Sequence, residues 1–207
     1  MPVLDFIEIG CCDFETLFSE EGRDKQRGIV VEPIKDYFDK IPDCFISINA
    51  AVSDYTGTAS VFWVSAEDIT RRGLPQMLRG CSSIGSPNPF MLERLAGIGA
   101  EGLIRETKIP VITVADIARE HGIESCHYMK TDTEGHDWII IRGMVRDFRS
   151  GLMGFLPEVV RMEMNTLTSQ DNKDAIHRLM LEARYDPVKI GKRDRVYRLK
   201  EVPNAGV

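Results

Sequence analysis

The chain alternates between short unbroken apolar runs and longer stretches in which apolar residues recur at helical spacing. Residues 29–32 (IVVE) carry a run of the first kind, and residues 6–9 (FIEI) read as a first strand whose apolar positions surround Glu8. A run without polar alternation suits a strand buried on both faces. "CFISINAAV" carries a third strand and residues 58–65 another, with "SDYTG" as the turn between them. Residues 14–24 read as a polar-faced helix, and "IKDYFDKIP" as a short helix stopped near Pro42. Further on, "VITVADIAREHGI" predicts a helix opening near Thr113 or Asp116, "CHYMKTD" a strand ending on an acid, and "GHDWIIIRGM" a helix beyond it. Residues 158–165 (EVVRMEMN) form a strand with a polar end. "SQDNKDAIHRLMLEARY" is patterned as a helix capped by Ser169 or Asp171, and "DPVKIGKRDRVYRLKEV" as a closing antiparallel hairpin turning at 191–194. Residues 65–108 are irregular and read as an insertion or lid with one or two short helices.

Strands separated by helices predict an α/β fold: a mostly parallel sheet with helices on both faces, in one domain of 207 residues. Such sheets bind ligands beyond the carboxyl ends of their strands. That rule selects residues 10–13, Glu32, residues 49–54, residues 132–137 and Glu163. A net charge of -6 argues against nucleic acid as a partner. No apolar run approaches the roughly 20 residues of a membrane span, and no secretory signal opens the chain. Five cysteines without a CxxC pair suit a reduced, cytoplasmic setting.

The first loop is the most informative. Gly10 ends the first strand and Glu32 lies 22 positions later at the end of the second. An acid at about that distance grips two ribose hydroxyls. The glycine-rich fingerprint that cradles a pyrophosphate is missing: "GCCDFE" has bulk at Phe14 and acids at Asp13 and Glu15. Acids there repel a pyrophosphate and welcome a cation. S-adenosylmethionine has no phosphate and carries a sulfonium and an ammonium. Glu8 and Asp13 are then expected at its positive end, with Glu32 on its ribose.

Taken together, these stretches resemble the FkbM family of S-adenosylmethionine-dependent methyltransferases. "FIEIGCCDF" resembles the family's strand-Asp/Glu-x-Gly-Ala-Asn loop, and "GIVVEP" its strand ending in Glu-Pro. "INAAVSDYTGTASVF" resembles its Asn-x-Ala-hydrophobic-Ser-Asp turn, and "CSSIGS" its Ser-Ser-Leu segment. "IPVITVADIAREHGIESCHYMKTDTEGHDWIIIRGM" resembles a Leu-Asp-Asp-Leu helix followed by Lys-Ile-Asp-x-Glu-Gly. Cys11 and Cys12 replace the common Ala-Asn, and Phe14 stands where a second glycine is usual. The chain starts almost directly on the first strand, as a minimal member or a domain excised from a longer polypeptide would.

The resemblance implies a Rossmann-like class I methyltransferase with a seven-stranded sheet whose last strand is antiparallel. It also implies O-methylation of a hydroxyl on a sugar or glycan, with a deoxyhexose such as rhamnose or fucose as the leading acceptor. Carried over position by position, the cofactor would meet Glu8, Gly10, Cys11, Cys12, Asp13, Glu32, Asn49, Ala51 and Asp132.

Methyl transfer to a hydroxyl needs a group to take its proton. Asp132 is the first choice, ending its strand at the cleft. Glu134 and His136 follow, although an acid at Glu134 equally suits a helix start. Glu163 and Asn165 share one side of a strand end. A pair of Asp132 and Glu163 would serve as base and orienter, or hold a divalent ion such as Mg²⁺; the sequence leaves metal dependence open. Ser82 and Ser83 suit an acceptor pocket or a turn cap. Arg71, Arg72, Arg79, Arg94 and Arg105 fit either a phosphate-bearing acceptor or a solvated face. Trp63 and Trp138 fit core packing better than sugar stacking. A noncatalytic cofactor-binding module with the same fold is the rival. A nicotinamide oxidoreductase lacks its glycine-rich loop here, and a glycosyltransferase lacks a DxD pair.

Overall fold

The computed structural model describes residues 3–13 and 16–201. The chain runs through β1 (Val3–Ile9), β2 (Gly28–Val31), α1 (Lys35–Phe38), β3 (Ile46–Ile48), β4 (Ala51–Val52) and β5 (Gly57–Trp63). It continues through α2 (Ala66–Arg71), β6 (Ser83–Ile84), α3 (Pro89–Ala96), β7 (Arg105–Ile112), α4 (Val114–Glu120) and β8 (Ser125–Thr131). It ends with α5 (Asp137–Arg149), β9 (Val159–Glu163), α6 (Gln170–Glu182), β10 (Tyr185–Ile190) and β11 (Asp194–Leu199).

Seven strands form the main sheet in the order β10-β11-β9-β8-β1-β2-β3. Pairings β3–β2, β2–β1, β1–β8 and β8–β9 are parallel, whereas β11 runs antiparallel to both β9 and β10. The chain winds outward from β1 to β3, then crosses back to β8 on the other side of β1. The strand order therefore reverses between β1 and β8, which opens a crevice at their carboxyl ends.

One face of this sheet carries α4, α5 and α6. Ile117, Ile140, Ile141, Ile176 and Met180 pack there against Ile7, Ile29, Met129 and Val160 in one continuous core. Thr113 and Asp116 start α4 with a reciprocal capping box. The opposite face differs from the expected helical layer. Leu17, Ile41 and Phe45 cover Phe6 and Val30 from 3-10 turns and loops, with partial help from Phe38 of α1. The helix expected over 14–24 is replaced, from Thr16 on, by turns at Leu17–Ser19 and Arg23–Lys25; Phe14 and Glu15 lie outside the described residues. "SEEGRDK" offers no apolar stripe to bury, and Gly22 is left-handed at φ +81°.

The expected third strand is two strands in two sheets. At Asn49 the chain leaves the main sheet, and the Asn49 amide donates to the carbonyls of Glu32 (2.8 Å) and Pro33 (3.0 Å). β4 then joins a smaller sheet of order β4-β7-β5-β6. β7 was not foreseen, because its charged start and Pro110 hide the Ile109 and Val111 alternation. Val61, Trp63, Ile109 and Val111 pack with Ile34 and Tyr37, so this sheet roofs the first loop. Residues 65–108 contain α2, β6 and α3, and a small apolar core of Ile69, Leu78, Met91 and Leu95 holds them together. No helix of the described residues is long and apolar enough to cross a membrane.

Candidate active site

Two adjoining clefts open over the carboxyl ends of β1, β2 and β8. Ile9, Gly10, Cys11, Cys12, Val31 and Glu32 form the floor of the first, and Ala51, Val52 and Val61 one wall. Ser82, Ser83, Asp132, Thr133, Glu134 and His136 form the other. Its empty volume is about 750 Å³, open solvent at the mouth included. The second is walled by Ser86, Asn88, Gly135 and Leu167 and shares Ser83, Ile84, Thr133, Glu134 and His136 with the first.

Gly10 is fixed by geometry. It sits at φ +76°, and a Cβ there would come within 2.2 Å of the Asp132 carbonyl oxygen. Only glycine lets the first loop close against the β8 end. Cys12 follows at φ +47°, a left-handed conformation that asparagine tolerates better than cysteine. Glu32 is buried and closes the loop from below. Its Oε2 accepts from the Cys12 amide (2.9 Å) and the Cys11 amide (3.2 Å), and its Oε1 from the Ile34 amide (2.8 Å). Burial pushes its pKa up against these bonds. The loop amides that a pyrophosphate would need are thus already taken by a carboxylate. The same burial, with Glu32 nearby, pushes the Cys11 and Cys12 thiols far above their ordinary value, so they stay protonated.

Three residues assigned to the cofactor sit elsewhere. Glu8 lies beneath the loop, fully buried, accepting from the Leu17 amide (2.7 Å) and from Lys130 Nζ (3.1 Å). Glu8 and Lys130 are direct neighbours across β1 and β8. Asp13 is paired with Lys40 (2.7 Å) and with Arg79, which ties the loop to the 65–108 segment. Asn49 braces the backbone after β2, as described above. None of the three lines either cleft. They set the shape of the loop: the charges of Glu8 and Asp13 are spent on protein partners, and the Asn49 amide on backbone carbonyls.

The acids at the β8 and β9 ends form a cluster. Burial raises the Asp132 pKa although Lys130, 3.7 Å away, works against it. Glu134 sits at φ +53°; burial, then Asp132 and Asp137, push its pKa up to about 7. Its Oε2 is within 3.4 Å of both the Asn88 and the Asn165 amide nitrogens. The Asn165 amide also donates to Glu163 at 2.7 Å. Burial and the neighbouring Asp132 raise the Glu163 pKa as well. Glu163 and Asn165 support Glu134 from behind, outside both cleft walls. His136 caps α5, with Nε2 3.0 Å from Ser53 Oγ, and burial lowers its pKa so that it is neutral at pH 7. Gly135, at φ +93°, leaves room for Leu167, whose Cβ would be 2.9 Å from an added Cβ.

Ser82 and Ser83 do line the first cleft, and Ser83 Oγ donates to the Ser86 carbonyl (2.8 Å). The arginines of the 65–108 segment do not. Arg71 and Arg105 pair with Asp68, and Arg94 lies 5.0 Å over the Phe90 ring. Trp63 is core, with its indole N–H on Thr107, and Trp138 packs under Arg142. Among the described residues no group of three or more His, Cys, Asp or Glu is arranged to hold a metal ion. All five cysteines are free. Asn88 was missed, whereas Ser53 and Thr133 fall inside the selected stretches 49–54 and 132–137 without having been singled out. "SPNP" held the signal for Asn88: an asparagine N-cap before Pro89 at the first helical position, with Asn88 Oδ1 accepting from the Phe90 amide (2.9 Å).

The sequence model of the methyltransferase FkbM domain matches residues 8–198, nearly the whole chain. The chain belongs to the FkbM methyltransferase family. A comparison with curated proteins gives no match. Within this FkbM domain the matched span runs from Glu8 to Arg198, so it contains both clefts and every acid described above.

Proposed function

We propose that this FkbM-family methyltransferase uses S-adenosylmethionine and methylates a hydroxyl of a sugar, a deoxyhexose in a glycan being the leading candidate. The observation that carries the reading is the seam between the two clefts, where Glu134 and His136 face both. The first cleft suits this cofactor chemically. The Cys11 and Cys12 amides of its loop are held by Glu32 and so turned away from a pyrophosphate, its wall at Ala51, Val52 and Val61 is apolar, and Glu32 stands at the ribose position. When bound, the cofactor supplies an activated methyl group together with its leaving group.

The chain's own part is alignment and proton transfer. The acceptor enters the second cleft and presents its hydroxyl to Glu134. Glu134 would take the hydroxyl proton as the acceptor oxygen gains the methyl group that the cofactor supplies. A pKa of about 7 is matched to that task near neutral pH. Neutral His136, oriented by Ser53, stands beside it as hydrogen-bond partner to the acceptor. Asp132 lines the first cleft and, with Lys130, sets the field in which Glu134 works. Residues 65–108 act as the lid, carrying Ser82, Ser83 and Asn88.

The test is transfer of a labelled methyl group to a panel of deoxyhexosides. Turnover should rise with pH through about 7, because Glu134 must be deprotonated to act. Glu134→Gln should lose about 100-fold or more in kcat while still binding cofactor. Undiminished turnover in that variant would remove Glu134 from the mechanism.

A further inference from the structure

The second cleft is short of positive charge. Among its described wall residues Glu134 is an acid, His136 is held neutral, and the rest are uncharged. Cations near it point elsewhere: Arg161 pairs with Asp194 (3.1 Å), Arg142 with Asp54 (2.5 Å), and Lys130 with Glu8 and Asp132. Asp132 and Asp137 stand close enough to Glu134 to raise its pKa. The Asn88 amide on this wall lies 3.4 Å from Glu134 Oε2, and the Asn165 amide, behind the wall, lies 3.4 Å from the same oxygen while donating to Glu163 at 2.7 Å. Ser83 Oγ is spent on the Ser86 carbonyl. A hydroxyl or an ammonium can donate to such a wall; a carboxylate or phosphate meets oxygen against oxygen.

We propose that Glu134, held between Asn88 and Asn165, selects the acceptor by charge: the second cleft takes hydroxyl compounds that are neutral or carry an ammonium, and turns away carboxylated and phosphorylated ones. This rests on the reading of that cleft as the acceptor site. Like charges brought together in a site of this kind disfavour the wrong partner strongly.

The test is NMR titration of protein saturated with S-adenosylhomocysteine, above the Glu134 value of about 7. Four probes on one sugar ring are compared: a methyl glycoside, a 2-amino sugar, a uronate and a sugar 6-phosphate. The glycoside and the amino sugar should bind at least about tenfold more tightly than the two anions, about 1.4 kcal/mol. Glu134→Gln should bring the anions up toward the glycoside. Ser86→Lys, an exposed change at the rim that does not disturb the core, should do so independently. Equal or tighter binding of the anions, with S-adenosylhomocysteine bound, overturns the charge selection alone. No binding of any probe to the loaded protein overturns the second cleft as acceptor site, and the selection with it. No binding of S-adenosylhomocysteine by folded protein overturns the cofactor reading itself.

Discussion

At the scale of single residues, the site is shaped by four positions with positive φ: Gly10, Cys12, Glu134 and Gly135. A left-handed backbone is cheap for glycine, tolerable for asparagine and costly for other L-residues by about 1–2 kcal/mol. Gly10 has no alternative, because the Asp132 carbonyl fills the space of a Cβ. Cys12 occupies a position where the family motif carries asparagine, and it keeps the asparagine-like conformation. Cys12→Asn should therefore stabilise the protein by about 0.5–1 kcal/mol, measured as a shift in the urea midpoint at unchanged slope. A loss of stability would mean that the Cys12 thiol contact with the Arg79 carbonyl outweighs the backbone strain. Glu134 carries its strain at the point where the two clefts meet, as strained residues at functional sites often do.

At the scale of elements, the carboxyl ends of β1, β2 and β8 were legible because β1 and β2 are short, mainly apolar runs and all three strands lead into Gly or an acid. α4, α6 and the closing hairpin were legible from caps and periodicity. What escaped the sequence was long-range: the transfer of the chain at Asn49 to a second sheet, and β7 behind Pro110. Neither leaves a local mark, since both depend on which distant strand supplies the hydrogen bonds. For the same reason Glu8 and Asp13 were placed at the ligand. Their spacing from Gly10 is visible in sequence, whereas Lys130 and Arg79, which neutralise them, arrive from 122 and 66 positions away. Asn88 joins two elements, capping α3 and donating to Glu134 after β8. Asn88→Ala should cost about 1 kcal/mol through the cap, whereas Asn88→Ser keeps the cap and should cost less. Both remove one donor from Glu134, so both should move its titration upward, read by carboxyl NMR. An unmoved titration would mean that the 3.4 Å contact carries no energy.

At the scale of the whole molecule, the acid cluster makes stability depend on pH in a direction opposite to ordinary acid denaturation. Glu134 and Glu163 have folded-state pKa values raised above the unfolded value of 4.5. Between 4.5 and about 7 the folded protein holds a proton at Glu134 that the unfolded chain has released. That share of stability is complete below 4.5 and is lost as pH rises through about 7, with Glu163 extending the loss upward. The free protein should melt at a lower temperature at pH about 8 than at pH about 5.5, and Glu163→Gln should flatten the difference. A melting temperature that rises across this range would show that the carboxyls are solvated.

The central claim is that the first cleft holds S-adenosylmethionine. Calorimetric titration of the folded protein with S-adenosylmethionine and S-adenosylhomocysteine, with NAD as control, tests it directly. Micromolar binding of the first two, about 8 kcal/mol, with no response to NAD and with loss of binding in Gly10→Ala, is the predicted result. Folded protein that binds neither sulfur compound, or that binds NAD as well, would contradict the account.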